Sequence, residues 1–217
     1  MDNRIKTAVI VTGVSCFVLV EALLADMHLI GAIAKIIASC GFLSVAYLSG
    51  ALQSRYGKVL LLGLVLSFLG DAFLIGESRH AFLAGLAAFL LAHIAYVASF
   101  VVNGINVRWM SIAAIPVIAV ALAVSAWLAP HTPAELALPV KLYIAVISGM
   151  VIAAVGTRGK GGSLLIVVGA VSFFLSDLSV ASLRLIQTEF PTYIWGLPLY
   201  YAGQLCLALS VSQSRSH

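Results

Sequence analysis

Two aspartates sit in matching frames. "VLSFLGD" (Val65 to Asp71) overlays "VSFFLSD" (Val171 to Asp177) at an offset of 106, with Val, Phe, Leu and Asp coinciding. The same offset, without a gap, pairs Gly63 with Gly169, Lys35 with Lys141 and Gly50 with Gly156. A pair of carboxyls is suited to acid–base chemistry, in which one group donates a proton while the other, ionised, accepts one or balances positive charge. Both aspartates interrupt apolar runs. An ionisable side chain within a membrane costs about 3 kcal/mol on insertion scales, so it should face the bundle interior or a wet cavity. The competing reading is structural, an aspartate that ties helices together or pairs with Lys35. A second aspartate at matching depth weakens it.

Other polar residues cluster by depth. Glu21, Lys35, Tyr200 and Gln204 fall in the same half of the chain's apolar segments as the aspartates, which predicts a polar chamber opening outward. Tyr200 and Gln204 are four apart and share a helix face. His93 and Tyr96 are three apart on another, but helix arithmetic puts His93 roughly 12 Å below Asp71, out of direct reach unless its helix is tilted or broken. There is no HExxH, Walker loop or GxSxG, and Cys16, Cys40 and Cys206 lie in apolar runs without metal-type or CxxC spacing. No metal, cofactor or disulfide is expected.

The elements that must hold these groups follow from composition. Of 217 residues, 62% are hydrophobic and 9% charged, and the mean hydropathy is +1.12, which defines an integral membrane protein. The net charge of +4 is scattered between apolar segments, so it argues for membrane topology and against a nucleic-acid partner. Runs long enough to span a bilayer occur at about 5–25, 29–49, 58–76, 81–102, 109–129, 138–156, 163–184 and 193–212. Their length and uniform apolarity predict an all-α integral membrane protein, eight transmembrane helices in one bundle over residues 1–217, and exclude alternating barrel strands. The first run is read as a retained span, since Glu21 interrupts it and seven more follow. Offset matching suggests two parallel four-helix repeats, 1–106 and 107–217, although apolar sequences also match by chance.

Loop charges orient the bundle. With both termini cytoplasmic, Arg4, Lys6, Arg55, Lys58, Arg108, Arg158, Lys160 and Arg215 fall inside and Arg79, Lys141 and Arg184 outside. In a bacterium this would be the inner membrane. Asp71 and Asp177 then lie roughly 20 Å along inside-to-outside helices, both in the outer half. Within the fourth span, Ala81 and Gly85, and Ala84, Ala88 and Ala92, have the spacing of a close-packing ridge.

"GLVLSFLGDAFL" followed by "FLAGLAAFLLAHIAYVASF", "LPVKLYIAVISGM", "GAVSFFLSDLSVA" and "YYAGQLCLAL" resemble, in order and spacing, the YhhN-like membrane proteins that include the lysoplasmalogenases. The match runs from about Lys35 to Leu209. One departure is Ile36, which follows Lys35 where the family pattern usually has proline. The resemblance implies hydrolysis of the vinyl ether bond of a 1-alkenyl lysophospholipid to a fatty aldehyde and a glycerophospho-base. It implies Asp71 and Asp177 as the catalytic pair, and Lys35, His93, Tyr96, Tyr143, Tyr200 and Gln204 as substrate-binding residues, with Lys35 meeting the phosphate. The partners it implies are the lysophospholipid and membrane lipids. From the residues alone, a proton-coupled membrane transporter and a non-catalytic lipid-binding membrane protein stay open beside the enzyme.

Overall fold

The computed structural model describes residues 2–76 and 78–214; Arg215, counted above among the inner charges, lies outside the described residues. Eight helices follow one another: α1 (Asn3–Leu24), α2 (His28–Leu48), α3 (Arg55–Phe73), α4 (Arg79–Asn103), α5 (Val107–Leu128), α6 (Ala137–Arg158), α7 (Leu164–Ala181) and α8 (Tyr193–Gln213). All eight segments are long and apolar enough to cross a membrane, and the described residues contain no strand. The helix limits track the apolar runs because the polar residues between the runs are also the caps. Ser54, Ser78, Asn106 and Ser163 each accept a hydrogen bond from a backbone N–H in the first turn of α3, α4, α5 and α7. Gly50 and Gly104, at φ 79° and 99°, turn the chain after α2 and α4.

Successive helices pair as hairpins, and the cross-contacts repeat between halves. α2 packs on α3 and α8, while α6 packs on α7 and α4. Lipid tails are as apolar as leucine, so these helices gain from close fit rather than from leaving lipid. Small residues supply that fit. A Cβ at Gly63 would overlap the Tyr96 ring and one at Gly70 the Phe89 ring, while Gly85 seats against Leu74. Gly63, Ser67, Gly70 and Asp71 share one face of α3, so the close approach of α4 also buries Asp71. Gly169 of α7 sits against the backbone of Gly203 on α8. The halves are not identical, since α5 packs chiefly on α6 and presents Ile112, Ile115 and Leu122 outward.

α7 does not stop at Ala181. It runs on into a turn of π-helix, Ser182–Ile186, and Gln187 then takes a left-handed conformation at φ 56°. Within α8, Pro198 lacks the N–H that would close on Ile194, freeing a carbonyl in the outer part of the helix.

The turn at Ser78 precedes α4 and the turn at Gly159 follows α6, so three spans separate them. A single cysteine at Ser78 should label with an impermeant maleimide only from outside the cell, and one at Gly159 only from the cytoplasm. Labelling of both from one side is incompatible with eight crossings.

Candidate active site

Where α3 and α7 approach their C-terminal ends, a cavity of about 180 Å³ opens between the helices, lined by Asp71 and Asp177 together with Lys35, Tyr143 and Tyr200. The rest of its wall is chiefly leucine, isoleucine, valine and phenylalanine, including Leu86, Phe89, Leu128, Ile144 and Leu197. The chamber expected to be polar is therefore an apolar one with two carboxyls set into it. Glu21, also expected to contribute, is exposed and outside the lining, because it lies one turn from the end of α1, where its carboxylate meets the interface.

Asp71 is 2% exposed. Its Oδ2 accepts two hydrogen bonds, from Ser39 Oγ and from Tyr200 OH, each at 2.7 Å. Lys35 lies one turn before Ser39 on α2, and its charge acts on Asp71 without closing to an ion pair within 4.0 Å. α2 is unbroken at this point, since Ile36 retains the backbone N–H that proline would remove. Tyr201 completes the cluster. Its hydroxyl donates to the Lys35 carbonyl at 3.3 Å and lies 3.4 Å from Ser39 Oγ.

Asp177 has a different set of partners. Tyr143 OH donates to its Oδ2 at 2.7 Å, and His93 Nε2 faces the same oxygen at 3.7 Å. The other ring nitrogen, Nδ1, lies 2.6 Å from the Phe89 carbonyl. A carbonyl can only accept, so Nδ1 carries a hydrogen and donates it, while Nε2 is turned toward Asp177 without a hydrogen bond. The depth estimate that kept His93 away from the aspartates fails here for a geometric reason. Side chains lean toward the start of their helix, and α4 and α7 run in opposite directions, so the imidazole and the carboxyl lean toward each other's level. The two meet.

His93, Tyr96 and Gln204 do not line the cavity, and all three are completely buried. They stand behind its wall. Ser67 Oγ lies 3.1 Å from Tyr96 OH, which donates to Gln204 Oε1 at 2.7 Å; the Gln204 amide nitrogen has no partner. Direct contact with a substrate is closed to these three, and what they can do is position the residues in front. Phe173 packs behind the wall with them, its ring centre 4.5 Å from that of His93, 5.2 Å from Tyr200 and 6.0 Å from Phe89. Sequence reasoning missed Ser39 and Tyr201. The first was legible as the residue four after Lys35 on the same face, whereas nothing in the spacing marked Tyr201.

The fold and site define a class: a polytopic helical membrane protein with two carboxyls facing one apolar cavity. The YhhN family model matches residues 30–211, and the chain belongs to that family. It is 31% identical over 162 residues to a Bos taurus protein named lysoplasmalogenase TMEM86A, covering 70% of this chain and 65% of that one. Against a Sus scrofa protein named lysoplasmalogenase TMEM86B it is 31% identical over 151 residues, covering 70% and 62%. The chain thus spans a little under two thirds of each relative's length. No solved structure matches it.

Tyr200→Phe removes one of the two donors on buried Asp71 while keeping the ring. Losing a hydrogen bond to such a group costs about 1–3 kcal/mol, so the melting temperature in detergent should fall by several degrees. An unchanged melting temperature would show that the bond contributes nothing to the fold.

Proposed function

We propose that the chain is a membrane hydrolase that cleaves the vinyl ether bond of 1-alkenyl lysophospholipids, releasing a fatty aldehyde and a glycerophospho-base by carboxylate acid–base catalysis. The observation that carries this reading is the pairing of two carboxyls with unlike partners in one apolar cavity. The printed names of the two relatives support the substrate class.

Vinyl ether hydrolysis needs a proton on carbon. In the proposed mechanism Asp177 supplies it to the alkene carbon remote from the ether oxygen, and the enol ether becomes an oxocarbenium ion. Water adds to the carbon bearing the oxygen and gives a proton to Asp71. The resulting hemiacetal collapses as its hydroxyl returns a proton to Asp177 and Asp71 passes its own to the departing glycerol oxygen. One water is consumed and both carboxyls are restored.

The partner sets favour these roles over the reverse. Asp71 accepts two hydroxyl donors beside the Lys35 charge, the surroundings of a group that works as an anion facing a cationic intermediate. Asp177 accepts a single hydroxyl donor, from Tyr143, and so has fewer groups to hold it as an anion, which suits the carboxyl that carries the proton. Glycosidases divide labour between two carboxyls in the same way for a related transition state. Tyr143 orients Asp177, and the apolar wall accepts the alkenyl chain.

Purified protein in detergent should release aldehyde from a vinyl ether lysophospholipid and nothing from its alkyl ether and ester counterparts, read by mass spectrometry. Fatty acid from the ester would instead indicate a lysophospholipase. Asp71→Asn and Asp177→Asn should each lower kcat by about 10²- to 10⁴-fold with the fold intact. The double variant should lose far less than the product of the two, because groups acting as one unit are not additive. Near-normal turnover in either single variant would rule out the mechanism.

A further inference from the structure

Two cations line the cavity, and neither has a carboxylate within 4.0 Å among the described residues: Lys35 in its depth and Arg184 on the π-helical turn after α7. Lys35 lies beside Asp71 and so has electrostatic work inside the site. Arg184 has none there. It is exposed, with its guanidinium carbon 5.3 Å from the centre of the Phe82 ring, and it makes no hydrogen bond to a described residue. A guanidinium held over a ring without a hydrogen-bond partner keeps its N–H groups open, and these match a phosphate in a bidentate fork. Arg79, the neighbouring outer arginine, is by contrast neutralised by Glu135 at 2.5 Å.

The position also suits the task. Arg184 follows Asp177 by seven residues, two helical turns or about 10 Å along the axis, and both line the cavity. A lysolipid's phosphate is separated from its ether oxygen by the length of the glycerol, and a long arginine side chain can cover the remainder. π-turns recur at functional sites because the extra residue re-aims the side chains around it. Taking the class of lipid from the reading above, we infer that Arg184 is the phosphate-recognition residue of this cavity. It binds the phosphodiester of a lysophospholipid at the outer mouth, so that headgroup and chain enter in one orientation with the ether oxygen at the level of the aspartates.

Two ligands that cannot be hydrolysed test this without relying on turnover, a 1-O-alkyl lysophosphatidylcholine and the 1-O-alkylglycerol of the same chain length. Binding is measured by titration calorimetry in detergent. The native protein should bind the phosphorylated ligand more tightly. Arg184→Gln should weaken it by about 10- to 100-fold and leave the alkylglycerol unchanged, and Arg184→Lys should fall between because it keeps the charge and loses the fork. Equal weakening of both ligands, no weakening of either, or no phosphate preference in the native protein overturns the inference. The aldehyde assay on the same preparations separates the two readings. A phosphate effect without aldehyde keeps the subsite and removes the hydrolase, and aldehyde without a phosphate effect does the reverse.

Discussion

Hydrocarbon cannot solvate a carboxyl, and the packing of the half of this bundle that holds the aspartates is organised around that fact. Each intramembrane aspartate must find donors from helices that would otherwise have little reason to meet. Asp71 gathers Ser39 from α2 and Tyr200 from α8. Asp177 gathers Tyr143 as donor from α6 and brings His93 of α4 to within 3.7 Å. Those four helices carry the cross-contacts between the halves, so the same hydrogen bonds that satisfy the carboxyls fix which helices are neighbours. Glycines at the α3–α4 and α7–α8 contacts seat a neighbouring helix closely against each of the two that carry the aspartates.

The two clusters resemble each other in plan and differ in chemistry. In each, one partner comes from the helix before the aspartate's own and the other from the last helix of the opposite half. The residues at those places are a serine and a tyrosine in one case and a tyrosine and a histidine in the other. A common plan puts both carboxyls on one cavity and surrounds them with unlike partners without moving either. The buried Phe173 ring touches the ring partners of both clusters, so His93 and Tyr200 pack on one shared side chain.

Much of this was legible in the sequence, and the parts that were not share a cause. Eight spans could be read because membrane length and apolarity are local properties, and the helix ends follow from the Ser and Asn caps between them. The aspartates stood out because hydrocarbon penalises them wherever they point. Contacts between side chains depend instead on lean and on interhelical approach, which residue counting ignores. His93 was therefore placed too deep, Tyr201 gave no signal, and Gln204 proved to lie behind the wall. The character of the chamber was misjudged for a related reason. Depth identifies which polar residues share a level, but the composition of a wall depends on which face each helix turns inward.

The two bonds to Asp71 come from residues made at very different times. Ser39 and Lys35 precede it on the neighbouring span, while Tyr200 lies 129 positions further along the chain. During synthesis α3 therefore reaches the membrane with its carboxyl half satisfied, beside a serine and a compensating charge that are already there. The second donor arrives only with the last helix. Lys35 thus serves the nascent protein as well as the finished one, because without it the third span would have to insert an acid accompanied by a single hydroxyl. Closure of the site and completion of the chain become one event, and a ribosome that stops short of α8 leaves a membrane protein whose cavity has never formed.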